Sequence, residues 1–126
     1  MSQLMIYGVV LISVTFNAIA QLLLRVAMMT FNATLVAQPM PSRLLALAFS
    51  PPLLLGLVLF GLSVLSWLVV LSRLPVGIAY PMASLGYIVA TLLGVVILKE
   101  PVHILQIVGI VLICSGVAFI ARSAMV

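Results

Sequence analysis

The stretch VGIAYPMASLGYIVATLLGVVIL, Val76 to Leu98, holds no charged residue. An α-helix rises about 1.5 Å per residue, so about 20 residues cross the roughly 30 Å of bilayer hydrocarbon. This run is long and apolar enough to be such a helix. Three more qualify, and the predicted spans are about 4–24, 53–71, 76–98 and 102–121. The first can continue past Arg25 through Met29. The predicted fold is an all-α membrane protein of four transmembrane helices, with residues 1–126 as one transmembrane domain.

Composition points the same way. The 126 residues are 67% hydrophobic and 5% charged, whereas a soluble domain carries about 25% charged residues. Glu100 is the single acidic residue. Paired-carboxylate catalysis and a metal centre both lack their ligands and bases, and no nucleophile, base and orienting group fall in a workable spacing. The expectation is therefore no enzyme, no metal and no cofactor. Cys114 is alone and builds neither a disulfide nor a zinc framework. The net charge of +4 comes from five scattered basic residues; they suit membrane anchoring and form no nucleic-acid patch. Ala18-Ile19-Ala20 mimics a signal-peptide cleavage site, but no basic residue precedes the apolar run. The segment is read as the first span.

The connections differ in kind. Between the first two spans lie Pro39, Pro41, Pro51 and Pro52, enclosing SRLLALAFS, residues 42–50. That segment is too short to cross and is predicted to lie flat at the interface. Asn32-Ala33-Thr34 matches a glycosylation sequon and is read as loop. Joins at SRLP (72–75) and KEP (99–101) are short. They predict a tight antiparallel stack of the second, third and fourth spans. Arg73 and Arg122 fall on the side of the termini, and Arg25, Arg43 and Lys99 on the other. Two against three is almost no orientation bias under the positive-inside rule.

Polar residues interrupt the spans in a pattern. Ser13, Asn17, Gln21 and Arg25 recur every four positions. Such a row turns by about 40° per step and keeps to one slowly drifting face. An amide alone serves equally as a bond between helices. A guanidinium in line with two amides suits the mouth of a polar cavity for an anionic group such as a phosphate. In the third span Tyr80, Ser84, Tyr87 and Thr91 form a second row, and Pro81 predicts a bend because it cannot donate to the Gly77 carbonyl. In the second span Gly56, Phe60, Ser63 and Trp67 share a face; Trp67 suits either an interfacial anchor or a ligand contact. Glu100 precedes Pro101 at a helix start, where the dipole favours a carboxylate, and Lys99 beside it is a ready partner. Its functional reading is contact with a cationic head group. Gly109 and Gly116 lie two turns apart with Ser115 beside them, a face on which helix backbones approach closely. Four short spans enclose no cavity alone, so a second copy or a related chain is expected to close it.

Taken together, LPVGIAYPMASLGYIVATLLGVVILKEPV and IVGIVLICSGVAFI resemble the small multidrug resistance proteins and the wider drug/metabolite transporter superfamily. The resemblance implies a dimeric four-helix fold, with Gly109 to Gly116 in its dimer motif and Tyr80 at the substrate-contacting tyrosine of its GIAY motif. Drug exporters of this type carry an essential glutamate in the first span. Asn17 stands there in this chain and cannot titrate. The sequence is more similar to the four-span subunits of the undecaprenyl phosphate-aminoarabinose flippase, through Gln21 then Arg25, AYPM followed by SL (79–85), and EPV (100–102).

That likeness implies movement of a polyprenyl-phosphate-linked sugar across the bacterial inner membrane, by a homodimer or with a paralogous subunit. The cargo's head group would meet Asn17, Gln21, Arg25, Tyr80, Ser84, Tyr87, Trp67 and Glu100, and its tail the membrane lipids. The rival readings are an exporter of quaternary cations held over Tyr80 and Trp67, and a non-transporting accessory subunit.

Overall fold

The computed structural model describes residues 2–34 and 37–125. Its helices are α1 (Gln3–Thr34), α2 (Met40–Ala48), α3 (Pro51–Leu71), α4 (Val76–Met82), α5 (Leu85–Val96) and α6 (Ile104–Met125). Among the described residues four segments are long and apolar enough to cross a membrane: Gln3–Ala33, Pro51–Leu71, Val76–Val96 and Ile104–Ala124. The third is α4 and α5 taken together. This is the all-helical, four-span architecture that the apolar runs dictate.

α1 organises the rest. It packs along the length of α3 and then against α5, while α6 sits at the edge and touches mainly α4. The predicted stack of spans two, three and four is therefore replaced by packing around span one. Short joins bring helix ends together but do not decide which faces mate. Here the mating face is set by small residues. Ala20 and Ala27 of α1 are fully covered, and Gly56 of α3 sits so close to α1 that a Cβ there would fall 3.2 Å from the Ala20 carbonyl oxygen and 3.0 Å from the Leu24 side chain. Gly86 opens α5 to Val14 in the same way. A compact apolar cluster of Val10, Val14, Val70, Ala79, Met82 and Val117 joins the four spans at the end nearer the chain termini.

α1 is 32 residues long, about 48 Å at helical rise, and overshoots the hydrocarbon. The predicted loop at Asn32-Ala33-Thr34 is corrected: all three continue α1. No Pro or Gly interrupts the chain after Gly8 in this helix, and Phe31 is buried, with the Arg43 guanidinium of α2 5.0 Å from its ring centre. That contact holds α2 back against the extension. α2 itself has no buried residue, as suits a helix lying at an interface.

The third span breaks where its proline predicts a disturbance. α4 ends at Met82 and α5 begins at Leu85. Across the break the amides of Ser84, Gly86 and Tyr87 bond to carbonyls three residues back, those of Pro81, Ala83 and Ser84. The turn is tightened by one residue per bond, the usual way a helix accommodates a missing donor.

Overpacking a close helix contact costs about 1–3 kcal/mol. Gly56→Leu should therefore lower the thermal midpoint of the detergent-purified chain by several degrees. Gly61→Leu, where a Cβ meets nothing within 4 Å, should leave it unchanged.

Candidate functional site

The two halves of the first-span polar row do different things. Ser13 is buried and its hydroxyl donates to the Ser63 backbone carbonyl at 2.9 Å. The half-buried Asn17 amide donates to the Ser63 hydroxyl at 3.4 Å. Together they clasp α1 to α3. Beside the clasp opens a groove of about 180 Å³, lined by Ser13, Val14, Asn17, Ser63, Val64, Trp67, Ala83 and Gly86. Its floor is α1 and its walls are α3 and the α4–α5 break. The groove exists because Ala83 and Gly86 are small and because the break turns the backbone aside.

Farther along α1 the row leaves the groove. Gln21 is exposed, and Arg25 reaches across to the α5–α6 connection. Its Nε donates to Glu100 Oε1 at 3.0 Å, and its Nη2 lies 3.0 Å from the same oxygen. The predicted Lys99–Glu100 pairing is corrected by this ion pair. Lys99 takes a left-handed φ of 54°, which turns the chain back after α5 and separates neighbouring side chains. The Gly94 carbonyl accepts from the amides of both Leu98 and Glu100, at 3.1 Å each. Glu100 is thus folded over the end of α5, within reach of α1. Arg25 lies roughly 30 Å along α1 from Gln3, about one hydrocarbon thickness. The two side chains are 58% and 40% exposed; a pair this open contributes at most about 1 kcal/mol.

A second hollow, of about 190 Å³, lies between α5 and α6 and is lined by Tyr87, Ala90, Thr91, Val95, Glu100, Pro101, Val102 and Gln106. Tyr87 and Glu100 both line it. Tyr80 does not join them: it is 73% exposed and lines neither hollow. Ser84 donates to the Pro81 carbonyl inside the break. The Tyr80–Thr91 row is therefore interrupted at the position where a continuous helix would have kept it in line. On α6 Ser115 and Gly116 are exposed and Gly109 is half-buried; among the described residues Ser115 bonds the Val111 carbonyl of its own helix, and a Cβ at either glycine would meet nothing within 4 Å.

Sequence reasoning gave Ser63 no partner, although it receives both first-span bonds. A small polar residue midway along an otherwise apolar helix is the signal that identifies it. Gly94, over which Glu100 folds, carries no sequence signal of its own.

The family model for EamA-like transporters matches residues 4–122. The chain belongs to the EamA-like transporter family. Among curated relatives it is similar to the probable 4-amino-4-deoxy-L-arabinose-phosphoundecaprenol flippase subunit ArnE of Pseudomonas fluorescens, at 43% identity over 60% of this chain and 66% of the relative. The protein of the same name from Pseudomonas aeruginosa is 43% identical over 56% of this chain and 61% of its own length. That of Enterobacter sp. is 43% identical over 57% and 67%. The chain thus spans about three fifths to two thirds of the relatives it matches. No solved structure matches it significantly. Family membership and four membrane-capable helices make this EamA-like chain a multi-pass inner membrane protein, and its expected kinship with the drug/metabolite transporters holds.

Whether the groove admits water is directly measurable. In a Cys114→Ala background, a water-soluble maleimide should label Asn17→Cys at least tenfold faster than Ile12→Cys, because thiols react as thiolates and Ile12 faces outward from α1.

Proposed function

We propose that this EamA-like chain is a flippase, or one subunit of one. Its cargo is a polyprenyl-phosphate-linked sugar such as undecaprenyl phosphate-aminoarabinose, moved across the inner membrane. The observation that carries the reading is a polar groove at membrane depth beside Asn17 and Ser63, with a guanidinium farther along the same helix. The names of the relatives support the same cargo class.

In this reading Arg25 attracts the phosphate, and its open pairing leaves it able to do so. Asn17, with Gln21, Ser84 and Trp67 nearby, replaces water around the sugar as the head group crosses. Tyr80 and Tyr87 meet it from a partner's side or at the groove mouth. The tail stays among membrane lipids. Motion at the α4–α5 break alternates access, as in transporters built from broken helices and paired halves. The α6 face with Gly109, Ser115 and Gly116 receives a second copy or a paralogous subunit, which closes the groove. The chain moves its cargo without chemical change and is not an enzyme.

Cation export finds less support. Asn17 does not titrate, and the two aromatic rings that would cage a cation are apart: Trp67 lines the groove and Tyr80 does not.

Reconstitution tests the reading. Purified chain in vesicles, alone or with its paralogue, should move a fluorescent polyprenyl-phosphate sugar between leaflets. Arg25→Ala should slow it at least tenfold while Arg73→Ala leaves it unchanged. Cation export that ignores Arg25, with no lipid movement, would overturn it.

A further inference from the structure

Arg25 and Glu100 are joined in an unusual way for so open a pair. Both guanidinium contacts go to one carboxylate oxygen, Oε1. A bidentate fork would engage both oxygens and two nitrogens. Here Oε2 accepts no hydrogen bond among the described residues; it packs over Gly94, 2.9 Å from where a Cβ would stand. The carboxylate also borders the α5–α6 hollow, beside Tyr87, Thr91 and Gln106. A guanidinium carries five N–H donors, and this pair uses few of them. Each partner therefore keeps unused capacity: Glu100 for a donor, Arg25 for an acceptor.

We propose that the Arg25–Glu100 pair selects zwitterionic head groups, with Glu100 taking a cationic amine on the sugar and Arg25 the phosphate. The inference rests on the flippase reading and deepens it. A head group with both charges can exchange with the pair and leave no charge alone. A phosphate on a neutral sugar would occupy Arg25 and strand the Glu100 carboxylate. A cation without a phosphate would strand Arg25. Because Glu100 is the chain's single acidic residue, no other side chain can take the amine by charge. Gly94 is a positioning residue in this scheme: its missing Cβ seats the carboxylate between the hollow and α1.

The test compares two fluorescent lipids in vesicles containing the full chain, both alone and with its paralogue. One is a polyprenyl-phosphate amino sugar; the other carries a hydroxyl in place of the amine. The natural chain should move the amino lipid at least tenfold faster. Glu100→Gln should bring the ratio of the two rates to about one, because the hydroxyl lipid then strands no carboxylate and the amino lipid finds none. Gly94→Ala, which displaces a flexible carboxylate while keeping every charge, should also erode the preference. It answers the question if Glu100→Gln does not fold. Equal slowing of both lipids in the variants would make the pair a mere clasp and overturn the proposal. Equal rates in the natural chain would overturn it and leave the flippase reading standing. Movement of neither lipid would overturn both.

Discussion

In hydrocarbon, helices gain little by hiding apolar side chains from a solvent that is itself apolar. Association there depends on close van der Waals fit and on hydrogen bonds across the seam. The α1–α3 seam meets both needs. Gly56 opposite Ala20 brings the backbones together, and Ser13 and Asn17 both reach Ser63. Every other feature is arranged around that seam: α5 leans on α1 through Gly86, and α6 is left at the rim.

The seam also explains where the groove lies. A clasp of three polar side chains makes the membrane-depth wall hydrophilic, and the α4–α5 break keeps the facing wall from closing on it. The proline contributes by loosening one turn, and the turn after it absorbs the change. Polarity and room thus come from different elements, one from α1 and α3, the other from the third span.

Much of this is legible in the residues alone. Four apolar runs announce four spans, and the spacing of Ser13, Asn17, Gln21 and Arg25 announces a polar face on the first. Family motifs in the third and fourth spans lead to the same superfamily that the family match gives. Other features depend on distances that sequence spacing does not encode. Ser63 as common acceptor requires the register between α1 and α3. The partner of Glu100 is Arg25, seventy-five positions away, because a left-handed Lys99 swings the adjacent side chain aside. The helix through Asn32–Thr34 continues because Phe31 has Arg43 to lean on, a contact between segments separated by prolines. The mating order of the spans is set by where glycines and alanines meet, and short turns are silent on that.

The length of α1 has a consequence for the setting in which the molecule works. A straight rod of about 48 Å in a slab of about 30 Å must lean or protrude, and membranes differ in thickness by a few ångströms. The Phe31–Arg43 contact ties its outer turns to α2 and opposes fraying as a way to relieve the mismatch. A thicker or thinner bilayer would instead raise or lower the Arg25 level against the plane of the phosphates. Lipid composition thereby becomes a physical input to this protein, acting through geometry with no ligand at all.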